Sequence, residues 1–265
     1  YADPCDGVAL HTALFVDVEA TGLDTANDRI IEFAAVPFTY CPDSGRIHEV
    51  LAPYVALEDP ERDIPPEVQA LTRITPDMVR GRRIDDARVA ELLAAARLVI
   101  AHNAGYDRPM LERRFPAFAR KPWACSLSDV PWGHFDVRGT KLEYLLFQRC
   151  AEFFEGHRAE DDCLAAIHVL ATCCAKGNPF RMLLERARRP TYRVRALDAR
   201  FEVKDVLKAR GYRWDAERRV WYRDCAPDGL DAELAWLCAE CYDHRVAPDD
   251  LRARHVVAFD AKVRY

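Results

Sequence analysis

The sequence predicts an α/β protein with a mixed β-sheet flanked by helices, followed by a smaller α+β region. Two observations carry this prediction: three successive strand-like segments with short links, and a helical segment that leads directly into the buried apolar run at residues 98–101. Strands joined by short links pair antiparallel, whereas a helix followed by a strand is the repeat of a parallel sheet. With 265 residues the chain can hold one large domain and a small one.

The elements of the larger region follow from local patterns. Segments rich in β-branched and aromatic residues predict strands, and apolar residues at helical spacing predict helices. The short links carry turn formers, among them Gly22 and Gly45, and Thr75-Pro76 is typical of a helix start. In chain order we predict strands at 14–20, 30–39 and 45–55, helices at 66–72, 76–80 and 86–96, a strand at 98–101, a helix at 104–114, a strand at 121–127, and helices at 141–150, 158–175 and 179–188.

We place a domain boundary at Arg188-Arg189-Pro190, where the last of these helices ends. The expected domains are therefore residues 1–189 and residues 190–265. In the second domain we predict a strand at 192–197, a helix at 201–210, a hairpin at 212–222, a helix at 228–242 and a last strand at 255–264.

Composition indicates a globular protein, with 50% hydrophobic and 31% charged residues. No apolar run approaches the roughly 20 residues that cross a bilayer, and the N-terminus lacks the basic-then-apolar pattern of a secretory signal. We therefore expect a cytoplasmic protein. Tyr1 in place of an initiating Met suggests that the sequence has been trimmed at this end.

The net charge of −5 is unevenly distributed. Residues 190–265 contain 15 Lys and Arg against 14 Asp and Glu, which leaves 23 against 29 in the first 189 residues. Residues 181–223 alone contain 14 basic and 6 acidic residues. An acidic domain with a basic flank suits a polyanionic substrate that is held through metal ions.

The ten cysteines are scattered, and several fall within helical apolar patterns, namely Cys150, Cys163, Cys173 and Cys174. We expect most of them to be buried reduced thiols. Cys238-x-x-Cys241, with Cys225 before it and His244 after it, has a spacing that can hold zinc. The same residues also fit the apolar stripe of a helix.

Two acids interrupt the first predicted strand. Asp17 and Glu19 are two residues apart, so their side chains project from the same face while Val16 and Val18 face an apolar layer. Buried neighbouring carboxylates repel each other unless a cation lies between them, and a divalent metal would serve. The alternative is an edge strand with solvated acids.

Two further acidic motifs lie at helix starts. Asp107 follows His102-Asn103, where a buried strand ends and a helix begins. Ligands of α/β folds bind at such strand ends. Alternatively, Asp107 is a helix cap. Asp162 lies in the first turn of a long helix, where acids are ordinary. His157 would lie about 140° around that helix from Asp162, so we expect it in the preceding loop, leaning over the same site.

These three motifs, in this order and spacing, resemble the exonuclease motifs of the DnaQ-like DEDDh family, which includes proofreading epsilon subunits of bacterial DNA polymerase III. The motifs are Asp17-x-Glu19, Asn103-x-x-Tyr106-Asp107 and His157-x-Ala159-x-x-Asp162. The resemblance covers roughly residues 12–175, including Arg29-Ile-Ile-Glu-Phe-Ala and the stretch from Ile64-Pro65 to Thr75. The chain departs from the family at Tyr106, where Phe is usual, and at Arg73, where Gly is frequent.

The resemblance implies a ribonuclease H-like fold with a mixed five-stranded sheet. It also implies that Asp17, Glu19, Asp107 and Asp162 hold two Mg²⁺ or Mn²⁺ ions about 3.5–4 Å apart. Carboxylate oxygens suit these hard cations. His157 would be the general base, since histidine titrates near neutrality.

The same resemblance suggests how the substrate is held. The backbone of Ala20 and Thr21 would contact the terminal nucleotide, and Leu23 would wedge or stack against its base. Asn103 would either orient the scissile strand or cap a helix.

The implied reaction is hydrolysis at a 3′ end that releases 5′-mononucleotides. DNA is favoured over RNA because the chain is longer than an oligoribonuclease-type core and carries an additional segment. The alternatives are an RNA 3′-trimming enzyme and a catalytically idle protein that binds nucleic-acid ends. Expected partners are the 3′ end of single-stranded DNA and a DNA polymerase or repair complex.

The C-terminal segment interleaves cations with aromatic residues: Lys204, Lys208 and Arg210 precede Trp214 and Trp221. This pattern suits single strands, whose phosphates meet cations while their bases stack on rings. Alternatively, the two tryptophans form the core of this small domain.

Overall fold

A computed structural model describes residues 7–154, 156–243 and 245–259. The chain divides into two compact units, the first ending at Ala187 and the second beginning at Arg188. Within the described ranges, no helix has the length and apolar character needed to cross a membrane.

The N-terminal unit contains six strands and seven α-helices among its described residues. The strands are β1 (His11–Ala20), β2 (Ile30–Tyr40), β3 (Ile47–Val50), β4 (Tyr54–Leu57), β5 (Leu98–Ala101) and β6 (Trp123–Cys125). The helices are α1 (Pro66–Thr72), α2 (Pro76–Val79), α3 (Asp86–Ala95), α4 (Ala104–Arg114), α5 (Leu142–Cys150), α6 (Ala159–Ala171) and α7 (Pro179–Arg188). Short 3-10 helices, which the sequence did not predict, lie at Pro116–Arg120 and Trp132–Phe135.

The strands form one mixed sheet in the order β3-β2-β1-β5-β6, with β4 also paired to β2. The pairs of β2 with β1, β3 and β4 are antiparallel, and β5 is parallel to both β1 and β6. The prediction of an α/β fold with a mixed sheet and flanking helices is therefore confirmed.

The single third strand predicted at 45–55 is wrong, and the sheet has six strands instead of five. Two short strands, β3 and β4, occupy this region, and residues 51–53 between them are outside any strand. Pro53 has no N–H to donate to a ladder, which accounts for the break. β3 pairs opposite Phe38–Tyr40, whereas β4 pairs opposite Glu32–Ala35.

Apolar layers cover both faces of the sheet. On one face Phe15 of β1 packs in a cluster that includes α5, α6 and α7, and on the other Val16 packs with α3 and α4. Because side chains alternate along a strand, Asp17 and Glu19 lie on the same face as Phe15, beside α6.

Helix α6 ends at Ala171, four residues before the predicted end. Cys163 within the helix is buried as expected, but Cys173 and Cys174 beyond its end are exposed, so their predicted burial is wrong. The two cysteines of the C-x-x-C motif, Cys238 and Cys241, are buried reduced thiols in the C-terminal unit.

The C-terminal unit has a four-stranded antiparallel sheet in the order β10-β7-β9-β8. Its elements are β7 (Thr191–Ala196), a 3-10 turn (Phe201–Val203), α8 (Lys204–Ala209), β8 (Arg213–Asp215), β9 (Val220–Cys225), a second 3-10 turn (Pro227–Gly229), α9 (Leu230–Tyr242), α10 (Pro248–His255) and β10 (Val256–Phe259). Helix α10 was not predicted. The predicted last strand extends beyond residue 259, and that part lies outside the described residues.

The C-x-x-C motif lies on α9, where Cys238 and Cys241 pack in the core of the C-terminal unit. The Cys238 thiol donates a hydrogen bond to the Val246 carbonyl, and the Cys225 thiol donates to the Tyr192 carbonyl. Among the described residues, the one group of three or more metal-ligating side chains is acidic and lies elsewhere. His244, the fourth residue of the zinc hypothesis, is outside the described residues, and the apolar-stripe interpretation accounts for the two cysteines of α9.

Candidate active site

Strand β1 places Asp17 and Glu19 side by side. Both are half-buried, whereas Val16 and Val18 are fully buried on the opposite face. β1 lies between β2 and β5, so the alternative interpretation of an edge strand with solvated acids is wrong. These carboxylates are held on rigid backbone next to the apolar layer.

Asp107 reaches the same strand from α4. β5 pairs with β1 only along Ala13–Phe15, and the chain then leaves the sheet and enters α4. The Val18 N–H, beyond this pairing, donates to the Asp107 carboxylate at 3.2 Å, and Asp107 is only 3% exposed. Asp107 is therefore not a helix cap, because it is turned inward onto β1.

Asp162 is held by the loop that precedes α6. Its Oδ2 accepts hydrogen bonds from the backbone N–H groups of His157 at 2.8 Å and Arg158 at 3.1 Å. His157 is exposed and lies before the helix, as predicted, with φ of 69°. The two N–H groups fix one oxygen of Asp162, which leaves the other available.

Three carboxylates converge at this point. The ligand atoms of Asp17, Glu19 and Asp162 all lie within 4.8 Å of one another. Oxygen donors at this separation match the ligands that divalent Mg²⁺ or Mn²⁺ takes in proteins. The donor set therefore fits a divalent metal.

Burial and mutual repulsion raise the pKa values of these carboxyl groups. Burial raises the pKa of Glu19 to about 8, and the charges of Asp162 and Glu32 add to the effect. The pKa of Asp17 is raised well above its ordinary value, first by burial and then by the nearby Asp107 and Asp162. Without a cation, ionising these neighbouring buried carboxylates is electrostatically unfavourable, and a bound cation would offset that repulsion.

An ion pair between the buried Glu32 and the partly exposed Arg158 supports the cluster. Glu32 of β2 lies opposite Glu19 in the sheet register and is 1% exposed. Its carboxylate accepts hydrogen bonds from the Arg158 guanidinium at 2.6–3.2 Å and from the Ala159 N–H at 3.0 Å. It thus anchors the start of α6 and, with it, the loop that carries His157. Sequence reasoning did not select this pair, although a lone Glu in a continuous buried strand was a visible signal.

The four predicted substrate contacts differ in how accessible they are. Leu23 is 88% exposed, and Asn103 is exposed and makes no side-chain capping bond at the start of α4. Ala20 and Thr21 are buried, and the Thr21 N–H donates to the Arg29 carbonyl. Leu23 and Asn103 are therefore open to a ligand, whereas the Thr21 N–H is used within its own loop.

The two departures from the family pattern have structural explanations. The Tyr106 hydroxyl donates to the Gly22 carbonyl at 2.7 Å, which ties α4 to the loop after β1. Arg73 caps α1 in the left-handed conformation, with φ of 61°, where glycine is the common residue. Neither departure disturbs the acidic cluster.

We expect divalent metal to raise the melting temperature, and more at pH 8 than at pH 5.5. Between its ordinary pKa of 4.5 and its folded pKa of about 8, Glu19 is ionised in the unfolded chain but protonated in the metal-free fold. The unfolded chain then binds fewer protons, so the free energy of unfolding falls as pH rises through this window. Mg²⁺ or Mn²⁺ at about 100 times its Kd should add about 5–10 °C at pH 8. Thermal melting with and without metal at both pH values measures this. An equal shift at both pH values would contradict it.

We expect Glu32→Gln to lower both stability and turnover. The change leaves Arg158 without its charged partner, and since that guanidinium is partly exposed, the loss should be about 1–3 kcal/mol. Turnover should fall because the loop bearing His157 loses its anchor. Melting and hydrolysis should be measured beside Glu49→Gln, an exposed glutamate on β3. If both variants behave alike, the ion pair has no positioning role.

Comparison with known proteins agrees with the geometry. The family model RNase_T, described as an exonuclease, matches residues 14–170. The epsilon subunit of DNA polymerase III from Treponema pallidum (strain Nichols) is 28% identical over 171 residues, which are 60% of this chain and 74% of the relative. The PolC-type DNA polymerase III of Clostridium perfringens is 27% identical over 159 residues, which are 58% of this chain but only 10% of the relative.

Solved structures share the fold. A structure of exonuclease I has a TM-score of 0.57 at 18% identity and covers 95% of this chain and 63% of that one. E. coli exonuclease I in complex with an oligonucleotide has a TM-score of 0.51 at 21% identity, over 69% of this chain and 48% of that one. These likenesses agree with the ribonuclease H-like fold that the resemblance implied. Because the family match covers more than half of the chain and contains all three acidic motifs, the protein belongs to the RNase_T exonuclease family and is a nuclease of the DnaQ-like type.

Proposed function

We propose that this nuclease is a 3′–5′ exonuclease that hydrolyses DNA from the 3′ end and releases 5′-mononucleotides. The observation that carries the proposal is the convergence of the Asp17, Glu19 and Asp162 ligand atoms within 4.8 Å, with Asp107 bonded to the same strand. The direction and the product come from the resemblance to the DEDDh family.

The carboxylates of Asp17, Glu19, Asp107 and Asp162 would hold two divalent cations, Mg²⁺ or Mn²⁺. Bound there, the cations would supply activation of the attacking water and stabilisation of the leaving 3′ oxygen. Backbone hydrogen bonds orient two of these carboxylates. Asp107 accepts from the Val18 N–H, and Asp162 accepts from two loop N–H groups.

His157 would accept the proton of the attacking water. It is exposed at the end of a loop that Asp162 and the Arg158–Glu32 pair hold in place, so its imidazole is accessible to a substrate. Leu23 would contact the terminal base and Asn103 the scissile strand, since both side chains are exposed beside the acidic strand end. Ala20 and Thr21 would shape the loop that presents Leu23.

The relatives favour DNA and an assembly with a polymerase. The two relatives described above carry the name DNA polymerase III, one as the epsilon subunit and one as the PolC-type enzyme. We accordingly propose single-stranded DNA 3′ ends as substrate and a polymerase or repair complex as partner.

The deciding experiment compares three substrates labelled at the 5′ end: single-stranded DNA, duplex DNA with a 3′ overhang, and RNA of the same sequence, each with Mg²⁺ and with Mn²⁺. We expect a ladder of products shortened stepwise from the 3′ end, with mononucleotides released and DNA degraded faster than RNA. Early release of the labelled 5′ nucleotide would contradict the direction. Faster degradation of RNA would favour the trimming alternative, and no degradation of any substrate would favour an idle end-binding protein.

A further inference from the structure

The C-terminal unit contains a groove that no part of the catalytic site uses. It has a volume of about 570 Å³ and lies between the end of β7, the start of α8 and the β8–β9 hairpin. The groove is lined by aromatic and cationic side chains, chiefly Phe201, Lys204, Lys208, Trp214, Arg219 and Trp221. We propose that this groove binds single-stranded nucleic acid, with bases stacked on its rings and phosphates on its cations.

The aromatic side chains of the groove are not all needed by the core. Trp221 packs against the core of the unit, but Phe201 is 74% exposed and Trp214 is 50% exposed. Trp214 and Trp221 lie opposite each other on β8 and β9, with ring centroids 5.3 Å apart. The alternative interpretation, that both tryptophans form the core, therefore does not hold for Trp214. Exposed rings next to each other offer flat apolar faces on which any base can stack.

Most cations of residues 181–223, the basic stretch, already form ion pairs within their own unit. Arg193 pairs with Asp224 at 2.7 Å, and Arg210 and Arg223 both pair with the buried Glu233. The excess of positive charge counted in the sequence is therefore not a uniformly basic surface.

Of the four cations that line the groove, Arg200 pairs with Asp243 at 2.9 Å, whereas the other three are less strongly paired among the described residues. Lys204 and Arg219 form no ion pair within the described ranges of the chain, and the Lys208 ammonium lies 3.9 Å from the exposed Asp205, a separation at which an exposed pair is weak. Lys204 stands over the Phe201 ring, with its nitrogen 4.0 Å from the ring centroid. The lining contains four cationic residues and one acidic residue, Asp198.

This combination fits a polyanion with flat rings better than an apolar peptide. An apolar occupant would gain nothing from the cations, whereas single strands bind through phosphate contacts and sequence-independent stacking. The groove proposal rests on the proposed exonuclease function only in taking nucleic acid as the class of ligand. A strand held in the groove stays at high effective concentration near the same protein molecule, which would slow its loss between rounds of hydrolysis.

The test uses the full chain and a fluorescent oligo-dT in EDTA, so that binding is measured without hydrolysis and without metal. Anisotropy titrations should give a measurable Kd for the unsubstituted protein. Trp214→Ala and Phe201→Ala should each weaken binding by about 5- to 150-fold, the range for one lost base stack. Trp214→Phe should restore most of the loss, because it keeps a ring.

The charge contribution is measured by salt titration. Lys204→Ala and Lys208→Ala should each make the slope of log K against log salt less steep by about 0.7, the value for one phosphate contact on a single strand. Val206→Ala on the outside of α8 and Arg254→Ala on α10 are the matched controls, since neither lines the groove, and both should bind as the unsubstituted protein does.

Melting temperatures establish that each variant is folded. Unchanged Kd in Trp214→Ala and Phe201→Ala, unchanged salt slopes in the lysine variants, or binding to anionic lipid vesicles but not to oligo-dT would each overturn the proposal. The result is independent of the proposed catalysis. A protein that binds oligo-dT through the groove but hydrolyses nothing with metal would support the groove and refute the exonuclease proposal.

Discussion

Asp17→Asn should lower the rate of hydrolysis by several orders of magnitude while the protein remains folded. Asp17 is at the centre of the acidic cluster, and its ligand atom lies within 4.8 Å of those of Glu19 and Asp162. Asparagine keeps the size of the side chain but removes the charge that attracts a divalent cation. Initial rates on single-stranded DNA with saturating Mg²⁺ or Mn²⁺ measure the loss.

The same variant should be at least as stable as the unsubstituted protein when metal is absent. Burial and the charges of Asp107 and Asp162 make an ionised Asp17 unfavourable, so a neutral amide relieves repulsion. The metal-induced rise in melting temperature should shrink or vanish. Asp77→Asn is the matched control, because this aspartate is exposed on α2 and should change neither activity nor the metal effect. Near-normal turnover in Asp17→Asn would remove the assignment of the cluster as the catalytic centre.

Local patterns predicted the acidic strand because its signal lies within a few residues. The alternation of Asp17 and Glu19 with Val16 and Val18 fixes which side chains share a face, whatever the strand pairs with. Likewise, the transition from the buried run at 98–101 to a helix placed Asp107 at a strand end. That β1 is a central strand could not be read from these residues, since strand order depends on long-range pairing.

The support of the site could not be predicted in this way. Glu32 and Arg158 are 126 residues apart, and their contact depends on the register of β1 and β2 and on the packing of α6 against both strands. In the sequence, Arg158 occupies an unspecified position of its motif, and Glu32 is a single acid within an apolar run, so neither residue indicates its partner.

The basic stretch shows the same limit for charge. Composition counted its cations correctly, but composition does not reveal which of them are paired. Glu233, on α9, neutralises Arg210 and Arg223 from outside the stretch. The break between β3 and β4 is a different case, because Pro53 was visible in the sequence. The prediction gave more weight to the strand propensity of the residues on either side of it.

His157→Asn should lower kcat by about 10²- to 10⁴-fold, the usual contribution of a general base, with little change in KM. Asparagine is the sharper substitution because His157 has a φ of 69°, a left-handed conformation that asparagine adopts readily and alanine does not. The backbone N–H that holds Asp162 should therefore stay in place in His157→Asn. In His157→Ala, strain in the loop would add to the loss of the base, so this variant should also melt at a lower temperature.

Single-turnover rates and metal-dependent melting separate the two effects. His157→Asn should keep the rise in melting temperature with metal, since all four carboxylates remain, whereas its single-turnover rate should fall. His48→Asn, an exposed histidine on β3, is the control and should be unchanged. If His157→Asn retained the kcat of the unsubstituted protein, the proton of the attacking water would have to pass to another group, and the general-base role of His157 would be refuted.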